Sequence, residues 1–206
     1  MARSSTTVNL GVIGCGRVAQ NRHLPALHGL ADAHVVAVAD VDVSSLERVA
    51  DRFRIKDRFA DYRLLLDQKE IDAVAICVPA LFHEEVASAA LDAGKHILVE
   101  KPLALSLDGC DRLVERAARS DLIAMVGFNM RWHRLVRKAR EIVRSGSLGS
   151  LELMRTVFTH PPHERVPEWR KRREQGGGEI FETAVHHFDL WTYFLESEIL
   201  EVSATS

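Results

Sequence analysis

The first 127 residues repeat one unit: a short run of Val, Ile, Leu and Ala without polar alternation, then a stretch whose apolar residues recur at helical spacing. The runs fall at 8–13, 35–39, 71–78, 96–100 and 122–126, and the helical stretches at 18–30, 44–53, 84–93 and 107–120. A strand with one wet face alternates polar and apolar residues, whereas an unbroken apolar strand is buried on both faces and needs helices on each side. The repeat therefore predicts an α/β domain over 1–127 built on a doubly wound parallel (Rossmann) sheet. Ser44 and Ser106 stand where helix N-caps belong, and Gly94, followed by Lys95, where a helix would end.

Composition narrows the class further. With 206 residues, 47% of them hydrophobic, the chain can bury a core, which excludes disorder and a disulfide scaffold. Its 27 basic and 29 acidic residues are interspersed, so the footprint of a nucleic-acid binder is missing. No apolar run nears the roughly 18 residues of a membrane span, and the N-terminal run is too short for a signal segment. Cys15, Cys77 and Cys110 form no CxxC pair and cannot all be bridged, which points to reduced thiols and a cytoplasmic protein. Cys15 reads as a small filler rather than a reactive thiol.

The turn after the first strand, Gly14-Cys-Gly16-Arg17-Val18-Ala19, is a G-x-G-x-x-A form of the dinucleotide fingerprint. Gly14 permits the tight turn, Gly16 lets backbone approach a diphosphate, and Ala19 keeps the helix close to the sheet. The helix start then offers free N–H groups and a positive dipole end. Asp40 closes the second strand at the place where a carboxylate would accept from adenosine ribose hydroxyls; taken alone it would read as a strand-end cap. An anionic side chain there repels a 2′-phosphate, which favours NAD over NADP, and Asp42 adds to that bias.

Beyond Gly127 the pattern changes. Trp132, Leu135, Val136, Ala139, Ile142 and Val143 recur at helical spacing, with Arg134, Arg137, Lys138 and Arg140 on other faces, read as a solvated surface. Gly146 and Gly149 end that helix. A strand is expected over 151–159, a helix over 180–195 and another strand from Ile199. His160, His163, His186 and His187 lack the regular scaffold of a metal site, so no metal is expected.

Glu100-Lys101-Pro102 closes the 96–100 strand at the carboxyl edge, where α/β sheets place ligands. Read alone it is first a surface lysine before a turn, with Lys101–Pro102 a candidate cis bond. In company, these motifs resemble the glucose-fructose oxidoreductase / inositol dehydrogenase / rhizopine-catabolism (Gfo/Idh/MocA) family. The matching segments are the glycine loop, Ala75-Ile-Cys-Val-Pro79 with His83, Ala93-Gly-Lys-His-Ile-Leu-Val-Glu-Lys-Pro-Leu103, Gly127-Phe-Asn-Met-Arg131, and Gly176-Gly-Gly178 through His186 to Asp189.

The resemblance implies an NAD(P)-dependent oxidoreductase that moves hydride between nicotinamide and a carbon bearing a secondary hydroxyl of a sugar, cyclitol or related polyol. Lys101 and His186 would handle the hydroxyl proton, with Glu182 tuning the pair; Glu182 stands where the family carries Asp, and Ala184 where it carries Gly. Cofactor contacts would come from Gly14, Gly16, Arg17, Val18, Ala19, Asp40, Pro79, His83, Glu100 and Lys101, and substrate contacts from Arg131 and His187. Asp189 would orient its helix, and Trp132 would pack. Val78-Pro79-Ala80 replaces the usual Thr-Pro-Asn.

In the family the second domain is a large open antiparallel sheet that also carries the subunit interface. Over 128–206 this chain offers only two strand candidates, so an incomplete α+β domain is expected there. The expectation is a fragment, a truncated product or a split protein, assembled as a homo-oligomer or with a complementing C-terminal polypeptide. A non-catalytic dinucleotide-binding protein is the competing reading.

Overall fold

The computed structural model describes residues 7–159 and 172–205. The chain divides into two compact units, Met1–Gly127 and Phe128–Ser206. His160 and His163 lie outside the described residues.

In the first unit six parallel strands stand in the order β3-β2-β1-β4-β5-β6. They are β1 Val8–Ile13, β2 Ala33–Ala39, β3 Asp57–Phe59, β4 Ala73–Ile76, β5 His96–Val99 and β6 Ala124–Val126. Five match the apolar runs. β3 was not expected, because Asp57-Arg58-Phe59 holds no apolar run; short and charged, it suits the sheet edge. The five-residue helix α3 was missed for its brevity; it is Tyr62–Leu66, capped by Asp61.

The unbroken apolar strands feed two cores, one on each face. On one, Ile13, Val74 and Ile76 meet Leu65 of α3, Val86 of α4 (His83–Asp92) and Leu113 of α5 (Leu107–Ala118). On the other, Val12, Val38 and Ala75 meet Ala19, Leu24 of α1 (Leu24–His28), and Leu46 and Val49 of α2 (Val43–Phe53). Neighbouring residues of one strand thus serve opposite cores, the period-two geometry that non-alternating sequence requires.

Two helix starts differ from expectation. Asp42, not Ser44, caps α2: its carboxylate accepts from the Ser44 amide and the Ser45 hydroxyl, and those bonds hold it below the usual aspartate range. Ser106 does cap α5, accepting from the Gly109 amide. The first helix is not one regular helix over 18–30; a π-helical turn, Ala19–His23, precedes α1. Pro25 supplies the reason, since it has no N–H for the helical ladder, and the Leu24 amide instead reaches back five residues to the Ala19 carbonyl.

The second unit is helical where it is regular. A 3₁₀ turn, Asn129–Trp132, precedes α6 (Arg134–Arg144), and a π-helical turn, Ile180–Ala184, runs into α7 (Val185–Leu195). No strand forms over 151–159 or from Ile199 among the described residues, because a strand needs a hydrogen-bonding neighbour and the single sheet lies wholly in the first unit. Arg140 departs from the solvated-face reading. It donates to the Tyr193 carbonyl at 2.8 Å, pairs with Glu196 and stacks on the Tyr193 ring, closing the end of α7.

Candidate functional site

The strand order reverses between β1 and β4, and the carboxyl ends of strands on either side of such a switch point leave a crevice for ligand. Main-chain bonds extend the ladders past the strand ends. Gly14 N–H donates to Ala39, Cys77 to Ile13, Glu100 to Ile76 and Gly127 to Val99. This brings the glycine loop, Asp40, the turn after β4 and Glu100-Lys101 to one edge.

Gly14 has φ +96°, and a Cβ there would stand 2.7 Å from the Cys77 carbonyl group, so only glycine fits. Gly16 is the opposite case: it is exposed and a Cβ would meet nothing within 4 Å, which leaves the space before the loop open. Arg17 and Val18 are exposed at the start of the helical run, while Ala19 is buried against the sheet. Asp40 Oδ2 accepts from the Cys15 amide at 2.6 Å and Oδ1 from the Asp42 amide at 2.8 Å. Each oxygen keeps a lone pair for a further donor. An open cradle, a glycine that tolerates no side chain and a fixed carboxylate at the second strand's end fit a dinucleotide. Cys15 lies beneath them, its thiol pushed up to about 12 by burial and by Asp40, which makes it an inert filler.

The edge beyond β5 carries the polar groups. Lys101 is half-buried and joined to Pro102 by a cis peptide bond. Glu100 Oε1 lies 2.7 Å from His23 Nε2, and Oε2 accepts from the Lys101 amide at 3.3 Å. Burial pushes the Glu100 carboxyl up, but the hydrogen bond and charge of His23, together with the Lys101 charge, hold it below the usual glutamate range. His23 escaped the sequence reading because no spacing signal joins residues 77 apart.

His83 needs correction. It is 1% exposed, with Nδ1 2.6 Å from the Pro102 carbonyl and Nε2 3.0 Å from that of Val78. Both ring nitrogens are engaged, so neither is left to hydrogen-bond a cofactor; the side chain ties the turn after β4 to the Lys101–Pro102 turn. Pro79 is half-buried in that same turn.

In the second unit, Asp189 is buried and grips Arg131, which donates from Nε at 3.0 and 2.9 Å to its two oxygens. These bonds hold the guanidinium above its usual range, and it also lies over the Phe128 and Tyr193 rings. Arg131 thus clamps α7 through Asp189. Trp132, read as packing, is instead 63% exposed. Glu182 lies in the π-helical turn and His186 in the first turn of α7, so the pair spans a π-to-α join rather than one regular helical face. The His186 ring stands edge-on to Phe128, and that of His187 is tilted against Phe158. Among the described residues no three His, Cys, Asp or Glu side chains gather as a metal site, and no helix is long and apolar enough to cross a membrane.

Comparison with known proteins agrees with this geometry. Residues 8–128 match the family model described as "Oxidoreductase family, NAD-binding Rossmann fold", and residues 136–206 the GFO/IDH/MocA C-terminal domain. A myo-inositol 2-dehydrogenase of Thermotoga maritima is 30% identical over 197 residues, covering 96% of this chain and 58% of that protein. A dTDP-3,4-didehydro-2,6-dideoxy-alpha-D-glucose 3-reductase of Saccharopolyspora spinosa is 35% identical over 201 residues, covering 97% and 59%. The chain thus spans less than two thirds of these relatives. The crystal structure of a 3-ketoreductase from Actinomadura kijaniata with NADP and TDP-benzene superposes with a TM-score of 0.83 at 31% identity, over 92% of this chain and 57% of that one. By its motifs, its strand order and these matches, the chain belongs to the Gfo/Idh/MocA oxidoreductase family, with an NAD-binding Rossmann fold as its first unit.

Proposed function

We propose that this chain is an NAD-dependent oxidoreductase acting on a secondary hydroxyl, or the matching ketone, of a sugar, cyclitol or related polyol. The observation that carries the reading is the placing of Lys101, at the sheet's carboxyl edge beside Glu100 and the cis-Pro turn, on the same edge as the glycine loop and Asp40. Bound NAD would supply the hydride-accepting nicotinamide. The chain's own residues do the rest. The amides of the glycine loop and the following helix start bind the diphosphate, and Asp40 accepts from the ribose hydroxyls. A fixed carboxylate there disfavours a 2′-phosphate, so NAD is preferred to NADP.

Lys101 takes the proton from the substrate hydroxyl during oxidation and returns it during reduction, with His186 as the second proton carrier and Glu182 tuning them. His187 contributes a substrate contact. The relatives named for inositol oxidation and for ketosugar reduction support this substrate class. The second unit serves as part of a substrate and oligomerisation domain in a homo-oligomer.

The test is nicotinamide reduction by the purified chain with NAD and a panel of inositols and sugars; reduction with at least one polyol is expected. A second reading, a dinucleotide-binding protein without turnover, draws on the absence of a sheet among the described residues of the second unit. NAD binding with no reduction across the panel would select it.

A further inference from the structure

In the second unit, α6 carries more positive charge than its neighbours cancel. Arg134, Arg137, Lys138 and Arg144 line an open groove of about 940 Å³ together with the Trp132 indole. Lys138 pairs with Glu141 at 2.8 Å, and Arg144 with Glu196 at 3.5 Å, an acid it shares with Arg140. Arg134 and Arg137 have no acidic partner among the described residues. Three apart on a helix, they stand on one face with their Cβ atoms roughly 5–6 Å from each other. Trp132 leaves its large apolar ring 63% exposed beside them. A guanidinium presents paired N–H donors that match a phosphate, and an indole face stacks on any nucleobase. The groove is of the size that holds a small ligand, about 300–1,000 Å³. A polynucleotide would need a longer basic track than this single helix face offers in a chain of net charge -2.

We propose that this groove is a mononucleotide site, in which Trp132 stacks on the base and Arg134 and Arg137 hold the two phosphates of a nucleoside diphosphate. Lys138 and Arg144, each already paired, add to the positive field. Arg140, stacked on Tyr193, forms part of the wall. The site is built wholly from second-unit residues and shares none with the glycine loop or Asp40.

The test is a calorimetric titration of the full chain with UDP, run without NAD and again with NAD saturating. One equivalent is expected to bind in both cases, more weakly as salt is raised. In the double variant Arg134→Ala/Arg137→Ala the dissociation constant should rise about tenfold or more, and in Trp132→Ala about fivefold. All three side chains are exposed, so the variants keep the fold, which circular dichroism checks. UDP-glucose bound as tightly as UDP would mark the ligand as a diphosphate esterified to a further group; weaker binding would mark a free nucleotide. Either result keeps the site. No binding of UDP, binding that NAD abolishes, or an unchanged affinity in the double variant would overturn the proposal. So would tighter binding of a single-stranded oligothymidylate than of UDP, which would make this face a nucleic-acid surface. None of these readouts depends on turnover, so a chain without polyol activity leaves the result intact.

Discussion

Asp40 is held by two main-chain amides, from Cys15 in the glycine loop and from Asp42 at the start of α2. Its carboxylate is therefore already set for the ribose contact proposed above, and preorganised acceptors lose little freedom on binding. Asp40→Ser should weaken NAD roughly tenfold or more, the cost of losing charge-assisted hydrogen bonds, and narrow the preference over NADP. Calorimetric titration with each dinucleotide checks both effects. Glu100 carries a pH signature. Its folded carboxyl lies below the ordinary value of 4.5, so its stabilising contribution is present above that value and is lost as pH falls through the folded one. Denaturant titrations from neutral pH into the acid range should show Glu100→Gln with a shallower acid loss of stability than the wild type.

Candidate site residues that stand where a strand ends were legible in the sequence. Gly14, Gly16, Asp40, Glu100 and Lys101 each follow an apolar run, and the carboxyl ends of buried parallel strands are the ligand edge. Residues that are held by partners distant in the chain were not. His23 meets Glu100 across 77 residues, and Arg131 meets Asp189 across 58, pairings that spacing does not encode.

Among elements, regular ones with a strong apolar period emerged close to their expected bounds, and those with a local interruption did not. Pro25 turned the first helix into a π-helical turn and α1; the proline was visible, but its effect depends on which carbonyl receives the Leu24 amide. The 151–159 segment has strand-like alternation yet forms none, because pairing belongs to two segments and not to one. At this scale the clamp of Arg131 on α7 is the most exposed to test. Arg131→Ala leaves Asp189, whose side chain is 5% exposed, without its counter-ion. The cost should be roughly 2–3 kcal/mol, less than for a fully buried pair because the arginine side is partly solvated. Amide hydrogen exchange should show α7 opening more readily, with β1 to β6 unaffected.

For the whole molecule, the two cores that flank the sheet lie entirely within the first unit. A fragment of residues 1–127 should therefore unfold cooperatively and bind NAD with an affinity within about threefold of the full chain, while showing no polyol turnover. Calorimetry and equilibrium unfolding of that fragment check the claim; a fragment that fails to bind NAD would place part of the cofactor site in the second unit. The first unit holds both cores, the glycine loop, Asp40 and Lys101, and the second holds Glu182 and His186.

The most direct test compares Lys101→Ala with the wild type on the same preparation, measuring polyol-dependent nicotinamide reduction alongside NAD affinity. Turnover should fall by roughly a hundredfold or more while the NAD dissociation constant stays within about twofold, the signature of a lost proton-transfer group in an intact cofactor site. Turnover at the wild-type rate in Lys101→Ala would contradict the account.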